Sequence, residues 1–288
     1  MNQYGNISDP DVASWTAVIK FGRLNVPFAR AADNVAIFYE TIGAGPRDVV
    51  FLHGWGGAAS GHSWKGLLKY LDVTGLRAIL VDLRGHGRSD QAPEGYSTPQ
   101  FARDVFAVAD HARADRIVVV AFSMSAKWAL WMACTEPGRV SGQVLIAPAP
   151  AMELAITEEM LQHWLTCSQD RGAWARFIRG FTKEDISEDV VEEYFKDVST
   201  TSRFALSGTF QMCRTGEFAD RMKALETPTL VVGGIHDPMF TPQFLREQVS
   251  APIGKARLAL VEAGHEIPLE APQQMVGLLE AFLAGLRD

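Results

Sequence analysis

Three side chains in this 288-residue sequence stand just after short apolar runs and together supply what nucleophilic acyl transfer needs: a hydroxyl, an imidazole and a carboxylate. Ser123 follows the run Arg116 to Phe122 and, through Met124-Ser125-Ala126, precedes the helix-forming stretch Lys127 to Ala133. A serine on so sharp a strand-to-helix turn is held out of the sheet on strained backbone, which requires small residues two before and two after it. Ala121 and Ser125 meet that requirement where glycines are usual. Ser125 is the competing nucleophile, but its flanks are Ser123 and the bulky Lys127, and it falls farther into the helix. Ser123 is therefore the expected nucleophile, although a lone serine in such a place is more often a helix cap.

The other two groups come later in the chain. Asp237 follows the run Thr229 to Val232 by way of Gly233-Gly234-Ile235-His236, and His265 follows Leu258 to Val261 by way of Glu262-Ala263-Gly264. Singly, Asp237 reads as a turn former before Pro238 and His265 as a capping or surface histidine. In the order Ser123, Asp237, His265, each beyond a strand, they are the residues that converging strand ends would bring together. His265 is then the expected base and Asp237 the acid that orients it. An earlier strand leads into His53-Gly54-Trp55-Gly56-Gly57, an ordinary glycine-rich loop if taken alone. Beside the elbow, the Trp55 and Met124 amides would form an oxyanion hole for the charge that develops on a tetrahedral intermediate.

Positioning these groups calls for a mainly parallel sheet covered by helices on both faces, and the patterning agrees. Val35 to Glu40 alternates and suits an antiparallel opening pair. Val49 to Leu52, Ala78 to Leu83, Ile117 to Phe122, Val144 to Ala147, Thr229 to Val232 and Leu258 to Val261 read as further strands, several of them buried on both faces. Phe101 to Ala112 and Met275 to Leu286 have the helical periodicity of sheet covers. Residues 151–222 have no convincing strand but three helical faces rich in aromatics, around Trp164, around Trp174, Phe177 and Phe181, and around Tyr194 and Phe195. Such stripes are usually packing, yet an aromatic helical block interrupting a sheet reads as a lid.

Composition excludes several classes. With 47% hydrophobic and 21% charged residues the chain can build a large core, and its formal charge of −7 disfavours nucleic acid and anionic membranes as partners. The first twenty residues lack an apolar run suited to a signal peptide or anchor, which gives a cytoplasmic expectation. Cys134, Cys167 and Cys213 have no CxxC spacing, no HExxH occurs, and Asp90 stands where a dinucleotide fingerprint needs its third glycine. Neither a metal nor a cofactor is expected.

Together, His53-Gly54-Trp55, Val81 to Ser89, the Ser123 elbow, Asp237 and Gly264-His265 resemble the α/β-hydrolase superfamily over about residues 35–286. The resemblance implies an eight-stranded, mostly parallel α/β sheet flanked by helices, with an all-helical lid after the sixth strand. The expected organisation is an N-terminal extension over 1–30, a hydrolase core from 31–150 and 223–288, and the lid from 151–222. Haloalkane dehalogenases and epoxide hydrolases of the superfamily carry aspartate at the elbow, which disfavours an alkyl-enzyme here. The leading expectation is a serine hydrolase of a hydrophobic or aromatic carboxylic ester or lactone, with Trp164, Trp174, Met239 and Ile267 lining its pocket. A carbon–carbon bond hydrolase of a vinylogous diketone and a non-catalytic small-molecule receptor are the alternatives. Trp15 and Ala17-Val18-Ile19 in the extension could dock on the sheet or join a homodimer.

Overall fold

The computed structural model describes residues 28–55, 60–216 and 218–286. Most of the N-terminal extension, including Trp15 and residues 17–19, lies outside them, as do Gly56 and Gly57. Eight strands form one sheet: β1 (Phe28–Arg30), β2 (Ala36–Ile42), β3 (Arg47–Leu52), β4 (Leu76–Val81), β5 (Ile117–Phe122), β6 (Val140–Ile146), β7 (Thr229–Gly234) and β8 (Ala256–Val261). Their order across the sheet is β1-β2-β4-β3-β5-β6-β7-β8. The β1/β2 and β2/β4 pairs are antiparallel, and every other pair is parallel. The expected eight-stranded, mostly parallel sheet is the observed one.

β5 explains why the strand runs are apolar at every position. Val119 and Ala121 enter one core with Phe101, Val105 and Trp128 from helices α2 (Thr98–His111) and α3 (Ala126–Thr135). Val118, Val120 and Phe122 enter the other, with Trp64 and Leu67 from α1 (Ser60–Leu68) and Met275 and Leu279 from α10 (Pro272–Gly285). A parallel strand covered on both faces has no solvent side, so period-two alternation disappears from its sequence.

Between β6 and β7 the chain leaves the sheet and builds α4 (Glu158–Cys167), α5 (Arg171–Arg179), α6 (Glu188–Thr200) and α7 (Arg203–Cys213). Each starts at a side-chain cap: Thr157, Asp170, Ser187 and Ser202 accept from the amides of Met160, Ala173, Val190 and Phe204. Three of these helices carry the aromatic faces read from sequence. The fourth, α7, was not among them, because Ser207, Gly208 and Thr209 interrupt its apolar periodicity. The four share a core of their own that includes Leu161, Trp174, Val191, Leu206 and Phe210.

Lys127, buried one turn beyond the elbow, ties down both ends of this insertion. Its ammonium donates to the Met152 carbonyl at 3.1 Å and to the Thr215 carbonyl. A bulky cation beside the elbow thus fastens the inserted helices to the sheet. The short helices α8 (Pro242–Phe244), continued by a π-helical turn at Leu245–Ser250, and α9 (Ile267–Glu270) complete the fold around the β7 and β8 ends.

Candidate active site

β3, β5, β7 and β8 point the same way, so the loops beyond Leu52, Phe122, Gly234 and Val261 open on one edge of the sheet. Ser123 stands at that edge with φ +54°, a left-handed conformation that costs a non-glycine residue free energy and lifts its side chain from the strand direction. Gly54, from the neighbouring loop, passes so close that a Cβ there would lie 3.3 Å from Ser123 Cβ and 3.0 Å from the Phe122 ring. A side chain at position 54 would press on the elbow and force Phe122 or Ser123 to shift.

His265 Nε2 is 2.9 Å from Ser123 Oγ, and His265 Nδ1 is 2.8 Å from Asp237 Oδ2. The other carboxylate oxygen accepts the amides of Met239 at 2.8 Å and Phe240 at 3.0 Å. Asp237 is thereby fixed to accept the Nδ1 proton, which leaves Nε2 as an acceptor facing the serine hydroxyl. Burial works to push the Asp237 carboxyl up, but the His265 ring and the two amides outweigh it and hold the group below the usual carboxylate value. Burial likewise works to lower the His265 imidazole, but the Asp237 charge and hydrogen bond, with the Glu266 and Glu270 charges, together outweigh it, so the ring sits above the ordinary value of 6.5. Phe122, Phe181 and Phe240 rings surround the imidazole at centroid distances of 5.4, 5.9 and 5.6 Å.

Ser125, the competing hydroxyl, is fully buried, and its single O–H is shared between the carbonyls of Leu52 at 2.8 Å and Phe122 at 2.9 Å. It ties the elbow to β3. Trp55 and Met124 both border the cavity above Ser123. The Trp55 indole is held from the other side, donating to the Leu206 carbonyl at 2.9 Å and packing against Trp164 and Phe210.

The cavity has a volume of about 210 Å³ and is roofed by the inserted helices. Trp164, Trp174 and Met239 line it, as do Phe177 and Phe181. Ile267 does not. It is fully buried in the core formed with Trp64, Met275 and Leu279, because α9 turns its side chain beneath the sheet edge rather than above it. Sequence reasoning missed Phe210, Phe240, Tyr194 and Glu266 on the cavity wall. Phe210 lies on the unrecognised helix α7, and the others read as packing or surface residues.

Glu266 is the exception in this wall: a carboxyl only 8% exposed, with the Tyr194 phenol lining the same cavity. Burial pushes it up to about 7. The Glu270 side chain accepts the amides of Gly264, Lys183 and Glu266, which pins the loop after β8.

Among the described residues no group of three or more side chains is arranged to hold a metal ion, and no helix is long and apolar enough to cross a membrane.

The family model for the alpha/beta hydrolase fold matches residues 49–171. A non-heme haloperoxidase of Rhodococcus erythropolis is 29% identical over 232 residues, covering 74% of this chain and 82% of that protein. A pimeloyl-[acyl-carrier protein] methyl ester esterase of Serratia marcescens is 27% identical over 271 residues, covering 86% and 98%. Among solved structures, an esterase from Exiguobacterium antarcticum superposes with a TM-score of 0.79 at 23% identity, covering 90% of this chain and 99% of that one.

Proposed function

Because the chain belongs to the α/β-hydrolase superfamily, we propose that it hydrolyses a carboxylic ester or lactone of a hydrophobic or aromatic small molecule through an acyl-enzyme on Ser123. The observation that carries this reading is the continuous hydrogen-bonded chain from Asp237 through His265 to a strained Ser123 on the wall of an apolar cavity. The esterase names of two of the matched proteins support it.

Ser123 Oγ attacks the acyl carbon while His265 Nε2 takes the hydroxyl proton, and Asp237 stabilises the imidazolium through Nδ1–H. The Trp55 and Met124 amides bind the carbonyl oxygen as it becomes negative; losing one such donor typically costs about a hundredfold or more in rate. The bond to the alcohol oxygen then breaks and that oxygen takes the Nε2 proton. Water, giving a proton to Nε2, attacks the acyl carbon, and Ser123 leaves with that proton as the acid is released. Helices α4 to α7 serve as a lid whose aromatic lining selects the substrate.

A fluorophosphonate probe and a series of p-nitrophenyl esters test the reading. Labelling at Ser123 is expected, and Ser123→Ala and His265→Ala should each lower kcat by about 10⁴ or more with folding retained. A strong preference for a vinylogous ring-cleavage diketone would replace ester cleavage by carbon–carbon cleavage on the same residues. Absence of labelling, with ligand binding unchanged in Ser123→Ala, would indicate a receptor. A halide-oxidation assay covers the activity named for the Rhodococcus relative.

A further inference from the structure

Apart from the groups assigned to the reaction, the cavity wall is almost wholly apolar, with Trp164, Trp174, Phe177, Phe210 and Met239 providing much of it. Among the described residues that line it there is no lysine or arginine. Glu266 and Tyr194 break this pattern together. Glu266 directly follows His265 at the β8 end, Tyr194 comes from α6 of the insertion, and both line the same cavity. Each is more than nine-tenths buried.

Burying a carboxyl in such a wall is costly without hydrogen-bond partners. An ionised carboxylate has about four acceptor positions, more than one neighbouring phenol could fill. Ser123, His265 and Asp237 are held by one another and by the Met239 and Phe240 amides, and Glu266 acts on them only by raising the His265 imidazole, so acyl transfer itself does not require a carboxyl at this position. A substrate group is the partner that makes sense of it.

We propose that Glu266, beside Tyr194 on the cavity wall, determines specificity by accepting a hydrogen bond from a hydroxyl on the substrate, and that it excludes substrates carrying a carboxylate. The inference deepens the ester or lactone reading of this cavity and rests on it for the reacting group. An anionic substrate would meet Glu266 in a wall without a compensating cation, with Asp237 and Glu270 also near the imidazole. Like charges in a desolvated site repel strongly. A hydroxylated substrate would instead replace its lost water with the carboxyl oxygen.

Binding to Ser123→Ala protein tests this without turnover. The tryptophans Trp55, Trp164 and Trp174 on the cavity wall provide a fluorescence signal. The ligands are methyl hexanoate, its 3-hydroxy and 6-hydroxy derivatives, and monomethyl adipate. At least one hydroxy ester should bind about tenfold more tightly than methyl hexanoate, the scale of one well-made hydrogen bond, and the adipate about tenfold more weakly. Adding Glu266→Leu should abolish the hydroxyl advantage. Adding Glu266→Gln, which keeps an acceptor oxygen but removes the charge, should retain part of that advantage and relieve the penalty on the adipate. The proposal is overturned if neither hydroxy ester binds more tightly than the parent, or if Glu266→Leu leaves the ratio unchanged in a protein whose circular dichroism is native. A protein that shows the hydroxyl preference yet hydrolyses no ester would refute the ester reading alone.

Discussion

The amide of His265 donates to the carbonyl of Phe181 across 2.7 Å, fastening the loop that carries the imidazole to the inserted helices. Gly264 allows this approach, since a Cβ there would lie 2.3 Å from the Phe181 oxygen and 2.8 Å from the Lys183 nitrogen. Both obstacles are backbone, which cannot rotate away. Gly264→Ala should therefore displace His265 from Ser123, with turnover of the best ester falling about a hundredfold and stability by roughly 1–3 kcal/mol. Steady-state kinetics with urea unfolding checks this. Native kinetics in Gly264→Ala would mean that the contact between loop and insertion does not position the imidazole.

Ser125 and Ser123 separate two roles that lie two residues apart. The Ser125 hydroxyl is used by the Leu52 and Phe122 carbonyls, so Ser125→Ala removes bonds between the elbow and β3 without touching His265. Its stability should fall by about 1–2 kcal/mol, while fluorophosphonate labelling of Ser123 persists. Denaturant unfolding and mass spectrometry of the labelled peptide measure the two. Loss of labelling in a fully folded Ser125→Ala protein would reverse the assignment.

Much of this site was legible because it sits at strand ends. Buried parallel strands such as Ile117–Phe122 announce themselves as apolar runs, and the residues that follow them must appear at one sheet edge. The caps Thr157, Asp170 and Ser187 likewise mark helix starts in the sequence itself. What could not be read depends on contacts between distant segments. Tyr194 and Glu266 meet across 72 residues, and no local pattern says that they should. Ile267 failed for a different reason: proximity to His265 in sequence does not say which way a side chain turns, and α9 directs it into the core. The short β1, paired with β2, is too brief to carry a periodicity.

Proton equilibria at the site set a pH dependence with a definite sign. His265 must be neutral to accept the Ser123 proton, and its imidazole is held above 6.5, with Glu266 and Glu270 adding to the effect of Asp237. The acid limb of kcat/KM should lie above pH 6.5, and Glu266→Gln should move it downward. Glu266 also couples to stability. Its carboxyl titrates at about 7 when folded against an ordinary 4.5, so the folded chain holds the extra proton between those values. Wild-type stability therefore falls, from this group, as pH rises from about 4.5 to 7, by at most about 3 kcal/mol. Glu266→Gln should gain on the wild type across that interval, as followed by urea midpoints. A parallel pair of stability curves would show that Glu266 is ionised without cost.

His86 has the opposite sign and lies away from the reacting groups. It is fully buried, its Nδ1–H donates to the Arg84 carbonyl at 3.0 Å, and its Nε2 has no hydrogen-bond partner among the described residues. Burial, reinforced by the neighbouring His53, pushes it down to about 3. The unfolded chain binds a proton near 6.5 that the folded chain refuses, so stability is complete above 6.5 and declines as pH falls toward 3. At pH 4.5 the loss from this one imidazole is about 3 kcal/mol. His86→Gln, whatever its stability at pH 8, should show a shallower decline between pH 7 and 4.5 than the wild type. Chemical denaturation at half-unit pH intervals measures the slopes, and identical slopes would mean that His86 is protonated in the folded state.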